Sequence, residues 1–97
     1  MTENFDPFAE INEIRKSIDN VDSALVHILA ERFKLTGAVG VLKAKHDLPP
    51  SSRDREIEQV ERLRALAERS GLDPDFTERF ITFLVQEVIE RHKALRD

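Results

Sequence analysis

Cysteine, tryptophan and tyrosine are absent from the sequence. Without cysteine there is no disulfide framework, no thiol nucleophile and no zinc–thiolate site. No apolar run approaches the roughly 18 residues of a membrane-spanning helix. The opening Met1-Thr2-Glu3-Asn4 lacks a basic segment followed by an apolar one, so no signal peptide is expected. Together with the missing cysteines, this favours the cytoplasm. A basic excess is missing too. The net charge of −4 weighs against non-specific nucleic-acid binding. There are three glycines, and no proline stands between Pro7 and Pro49. Neither repeats nor low-complexity tracts occur, and there is no strand signal. At 97 residues, with 40% hydrophobic and 35% charged side chains, one soluble helical domain is expected over 1–97.

What is there begins with a heptad pattern. Ile11, Ile18, Leu25, Arg32, Val39 and His46 form one series; Ile14, Val21, Ile28, Leu35 and Leu42 form its partner. Nine of these eleven positions are apolar, which predicts one long helix from about Phe8 to His46. Such a helix spans roughly 55–60 Å, whereas a globule of this size is only about 26 Å across. A long helix with an uncovered seam calls for a second chain or a very elongated bundle. Asp6-Pro7 reads as its N-cap and first position, and Leu48-Pro49-Pro50 ends it. Gly37 and Gly40 each cost about 1 kcal/mol relative to Ala in a helix, which points to close approach of another helix, or to a bend.

Ser51 or Ser52 then caps a second helix, with apolar positions Ile57, Val60, Leu63 and Ala67 and a C-capping Gly71. Asp73-Pro74 opens a third. Phe76, Phe80, Ile81, Phe83, Leu84, Val85, Val88 and Ile89 stand nearly all round it, so it is expected to be largely buried. Residues 1–6 and 92–97 are expected to be flexible. The predicted fold is all-α, with one long and two shorter helices forming an intertwined homodimer.

The seam has a chemical exception in Arg32. Arg15 and Lys43 lie on the adjoining stripe, where an ordinary snorkelling or paired cation is the plainer reading. Arg32 and Lys43 are eleven residues apart, within about 20° of one helix face and separated by roughly 16 Å. Two long side chains leaning together can grip a small dianion. Arg15 lies about 25 Å from Arg32 along the axis, so it joins them only from an antiparallel partner chain. Arg55 and Glu56 open the second helix, where it folds back. Up to four cations and one carboxylate suit a small dicarboxylate ligand. His27, His46 and His92 have no metal-ligand spacing, so no metal site is expected.

At these residues the sequence resembles the all-α (AroQ) class of chorismate mutase. Ile14-Arg15-Lys16-Ser17-Ile18-Asp19-Asn20-Val21-Asp22 is similar to the family's LR-x-x-I-x-x-x-D. The likeness continues through Leu29-Ala30-Glu31-Arg32, Val39-Gly40-Val41-Leu42-Lys43 and Arg53-Asp54-Arg55-Glu56. The resemblance implies a dimer with two equivalent sites that converts chorismate to prephenate without a cofactor, on the route to phenylalanine and tyrosine. By position, Arg15 from the partner subunit and Arg32 would bind the two substrate carboxylates. Lys43 would contact a carboxylate and the ether oxygen. Arg55 would support the carboxylate end, and Glu56 would accept a hydrogen bond from the ring hydroxyl.

Three lower-ranked substrate-site positions depart from the pattern of highly active members. Ser52 replaces a carboxylate, Val88 a small hydroxyl residue, and His92 a Gln or Glu. This combination resembles the short intracellular actinobacterial (delta) subclass, whose members are weak alone and are activated by DAHP synthase. There the partner repositions segments corresponding to Arg91–Asp97 and to about His46–Ser52. Two other readings keep the same fold: a non-catalytic regulatory or docking module of the shikimate pathway, and a lyase acting on isochorismate.

Overall fold

The computed structural model describes residues 5–96. Three α-helices follow in order: α1 (Pro7–Lys45), α2 (Arg53–Ser70) and α3 (Pro74–Ala94). No strand occurs among the described residues. The chain divides into two compact units, Met1–Phe33 and Lys34–Asp97. Of the termini expected to be flexible, residues 1–4 and 97 lie outside the described residues. At the C-terminal end, α3 continues to Ala94 and His92 is buried.

Local chemistry fixes the helix ends. The Asp6 carboxylate accepts from the Phe8 amide at 3.0 Å, with Pro7 in the first helical position, where a missing N–H costs nothing. At the other end Asp47 adopts a left-handed conformation, φ 55°. The Leu48 amide then donates to the Lys43 carbonyl at 2.7 Å, and the Asp47 amide to that of Ala44 at 3.4 Å. These paired bonds satisfy carbonyls that the helix leaves over. Aspartate tolerates this conformation better than most residues, and Pro49 prevents any continuation.

The second unit contains a helical hairpin. Ser52 caps α2 through its Oγ, which accepts from the Arg55 amide at 3.4 Å. Gly71, at φ 77°, closes it, and the Leu72 amide bonds the Ala67 carbonyl at 2.8 Å. Asp73 caps α3 by accepting from the Asp75 amide at 3.1 Å. Across the hairpin the Arg64 guanidinium donates to the Pro74 carbonyl at 3.2 Å, and sits 2.9 Å from both Asp75 and Glu78. The hydrogen bond with Asp75 is the main reason its pKa rises above the ordinary arginine value, so it stays charged throughout the accessible range.

The hydrophobic core is small. Ala67 on α2 and Leu84 on α3 are its buried apolar side chains. The expectation of a largely buried third helix is corrected here. Phe83 is 69% exposed and Phe76 is exposed as well, because α3 has cover along one stripe while its apolar residues encircle it. Phe76 and Phe80 stack with ring centroids 6.1 Å apart. In the first unit the seam residues Ile11, Ile14, Ile18, Val21, Leu25 and Ile28 are all exposed. No described helix is long and apolar enough to cross a membrane.

The two glycines of α1 differ. Gly37 has open space where a Cβ would stand. At Gly40 a Cβ would collide with the His92 ring and come within 3.0 Å of Leu95 Cδ1. Close approach therefore explains Gly40, and not Gly37.

Leu84→Ala is expected to destabilise the hairpin by about 2–5 kcal/mol, and Gly71→Ala by about 1–2 kcal/mol through its left-handed φ. Urea unfolding followed by circular dichroism measures both. A Gly71→Ala chain as stable as the parent would show that the cap carries no conformational constraint.

Candidate active site

The predicted site residues fall into both units. In the first, Arg15 is exposed and Arg32 is half-buried. The Arg32 Nη1 nitrogen is shielded from solvent and has no hydrogen-bond partner among the described residues. A guanidinium donor in that condition forfeits its hydration without recovering a bond. Surface arginines avoid the penalty by keeping water. A carboxylate is the anion that meets a guanidinium fork best.

The second unit carries the other six positions. Lys43 is half-buried in the last turn of α1. Ser52, at the start of α2, is committed to its cap. Arg55 is exposed and Glu56 half-buried in the first turn of α2. Val88 is half-buried on α3, and His92, one turn later, is buried. Among the described residues no hydrogen bond or ion pair joins the side chains of Lys43, Arg55 and Glu56. Their charges are therefore not consumed by one another.

His92 is placed differently from a residue that reaches for a ligand. Its Nε2 lies 2.8 Å from the Thr36 carbonyl oxygen and its Nδ1 lies 3.4 Å from that of Pro50. Both ring nitrogens face backbone. One turn further, Arg96 donates through Nη2 to the Lys43 carbonyl at 3.2 Å, with Nη1 3.7 Å from Asp47. The end of α3 thus holds the end of α1 and the turn that follows it.

Sequence reasoning placed Pro50 and Arg96 only within the two segments that a partner would reposition, gave neither a role of its own, and did not single out Thr36 as functional. For Arg96 a signal existed: it stands four residues after His92, just past the end of α3, where continuation of the helical spacing would bring it to the same side. For Thr36 and Pro50 there was none, because both act through backbone carbonyls. Among the described residues no cluster of three or more His, Cys, Asp or Glu is arranged to hold a metal ion. The chemistry available is that of cations, one half-buried carboxylate and fixed backbone.

The profile of the chorismate mutase type II family matches residues 14–93. This span holds every predicted site residue. The T-protein of Enterobacter agglomerans is 35% identical over 79 residues, covering 81% of this chain and 21% of the relative. The chorismate mutase of Methanocaldococcus jannaschii is 30% identical over 87 residues, covering 90% of this chain and 84% of that protein. The bifunctional chorismate mutase/prephenate dehydratase of Escherichia coli is 30% identical over 82 residues. The chain spans about a fifth of the length of the T-protein and of the bifunctional enzyme. With a profile match over most of its length and a similarly sized relative aligned almost end to end, the chain belongs to the chorismate mutase type II family.

Proposed function

We propose that the chain is a chorismate mutase that converts chorismate to prephenate by a cofactor-free pericyclic rearrangement. The observation that carries the reading is the sequestered, unpartnered Nη1 of Arg32, a donor suited to a substrate carboxylate. In the rearrangement the ether C–O bond breaks as a new C–C bond forms within the same molecule. No proton changes hands, so no general acid or base is required. Catalysis consists of holding the reactive conformation and stabilising charge that builds on the ether oxygen. Arg32 and the partner subunit's Arg15 bind the carboxylates. Lys43 contacts a carboxylate and the ether oxygen, Arg55 supports the carboxylate end, and Glu56 takes the ring hydroxyl. Val88 belongs to the remaining wall, and Ser52 and His92 stand behind it, Ser52 committed to its cap and both His92 ring nitrogens set against backbone carbonyls.

The working assembly in this proposal is a cytoplasmic homodimer. Its support is the exposed seam of the first unit, where Ile14, Val21 and Ile28 are 57%, 66% and 63% exposed. A contiguous apolar stripe of this kind marks an interaction surface. The departures at Ser52, Val88 and His92 support membership of the actinobacterial (delta) subclass, with low activity alone and activation by DAHP synthase. They also keep a docking module and an isochorismate lyase as the readings to be tested against.

Arg32→Ala is expected to lower turnover of chorismate by about 10²–10³-fold or more, the scale of losing one preorganised charge donor, with helical content unchanged. A fully active variant would remove Arg32 from the site. Mixing Arg15→Ala chains with Arg32→Ala chains is expected to restore roughly a quarter of parental activity, because half of randomly paired dimers carry one intact site. No recovery, despite proven subunit exchange, would show that Arg15 does not act across subunits. Chorismate consumption by the chain, alone and with DAHP synthase from the same organism, decides between the readings. Slow turnover that rises with the partner is expected. No turnover in either case, with the fold intact, would favour the docking module, and release of pyruvate from isochorismate would favour the lyase.

A further inference from the structure

Lys43 stands in the last turn of α1, where the helix has no further amides to offer its own carbonyls. Helix ends fray, and a lysine is a point charge on a flexible stem. Presented from a loose turn, such a charge keeps no fixed direction. Two donors meet at the Lys43 carbonyl oxygen. The Leu48 amide reaches it from the following turn at 2.7 Å, and Arg96 Nη2 reaches it from just beyond α3 at 3.2 Å. A carbonyl oxygen has two lone pairs, so both are engaged here.

The approach of Arg96 is not isolated. Thr36, Gly40 and Lys43 are spaced by four and by three, which puts them on one face of α1. The His92 ring lies against Thr36 and Gly40, the Leu95 side chain against Gly40, and Arg96 against Lys43. The end of α3 therefore follows this face for about two turns, in the same chain direction, and Arg96 is the contact at its end. Gly40 sets the separation, because a Cβ there would collide with the ring and crowd Leu95, the neighbour of Arg96. The same guanidinium has Nη1 3.7 Å from the Asp47 carboxylate. Asp47 is fully exposed, so that ion pair contributes little. The bond from a charged donor to the carbonyl is the stronger restraint.

We propose that Arg96 is a positioning residue for Lys43: its guanidinium closes the last turn of α1 at the Lys43 carbonyl and so fixes the direction in which the Lys43 ammonium is presented. Arg96 does not touch substrate in this role. The purpose of the clasp rests on the mutase reading, in which Lys43 meets a carboxylate and the ether oxygen. Charge builds on that oxygen only in the transition state, so a loosened Lys43 costs rate more than substrate affinity. Misplacing such a group by an ångström can cost about 10²-fold. Losing one of two donors to the turn should cost less, about tenfold, the scale of one hydrogen bond to a charged group.

The bond and its consequence are measured separately. Arg96→Met keeps most of the stem and removes every donor, whereas Arg96→Lys keeps a charged one. In the full chain labelled with ¹³C and ¹⁵N, the Lys43 carbonyl carbon resonance should move in Arg96→Met. Exchange of the Leu48 amide, corrected for intrinsic rates, should accelerate by about tenfold. The Leu72 amide, bonded to Ala67 at the far end of α2, should not respond, which reports an intact fold. Arg96→Lys should bring both signals back towards those of the parent. With chorismate, kcat should fall about tenfold in Arg96→Met while KM changes by less than about threefold, and Arg96→Lys should recover most of the loss. Asp47→Asn removes the ion pair but keeps a residue that tolerates the left-handed backbone, and it should leave exchange and turnover near parental. An unmoved Lys43 carbonyl with unchanged Leu48 exchange in Arg96→Met overturns the clasp. A lost clasp with parental kcat, or a loss confined to KM, overturns the positioning role. So does an Arg96→Lys chain that regains the clasp without regaining rate. A parent chain with the clasp and no turnover defeats the mutase reading and with it the service to Lys43, while the bond itself stands on exchange and carbonyl shift.

Discussion

Gly40 is a place where the backbone of α1 comes too close to the His92 ring and the Leu95 side chain to leave room for a methyl group. A Cβ at that position would collide with the ring, and the His92 and Leu95 side chains at the end of α3 occupy the space its absence leaves. The buried ring reaches carbonyls on both sides of the chain reversal after α1. Arg96, one turn on, reaches a third. A helix C-terminus carries partial negative charge on its unsatisfied carbonyls, and basic side chains are favoured there. Here α1 has its own Lys43 and Lys45 in the last turn, and Arg96, just past the end of α3, adds a further basic side chain. The turn after α1 is consequently held by side chains from α3 as well as by its own backbone bonds.

Helix ends were legible in the sequence because their causes are local. Asp6-Pro7, Ser52, Gly71 and Asp73-Pro74 act within a turn of where they stand, and each ends or begins a helix in the structure. Burial was less legible, because it depends on what lies opposite. The apolar residues encircling α3 suggested a helix inside a core, yet Phe83 faces outward in this chain. Gly37 and Gly40 are equally unusual in a helix, and nothing in their neighbours' identities separates them. What separates them is the position of His92, more than fifty residues away in sequence.

The candidate site was legible to the extent that it breaks a pattern. Arg32 interrupts an apolar series, and the structure finds one of its nitrogens shielded without an acceptor. Burying a cation is costly enough that a seam tolerates it only for a reason. Glu56 and Lys43 were visible through their position near helix ends and their family register. The surroundings of His92 were not, since side-chain identity says nothing about which main-chain oxygens a ring will meet. Two of the three carbonyls held at the end of α3 belong to a threonine and a proline, neither of which advertises an acceptor.

The exposed seam of the first unit has a thermodynamic corollary. A helix whose apolar stripe faces water gains little from its own chain beyond backbone hydrogen bonds, and isolated helices of ordinary length are marginal in water. Its stripe leaves water only when another molecule covers it, and the gain then obeys mass action. In the proposed homodimer the folding free energy of residues 7–33 would for that reason be a function of protomer concentration. Dilution alone would then lower it, with no change in sequence, pH or temperature, and expression level would become one of the variables that determine how much of α1 is ordered.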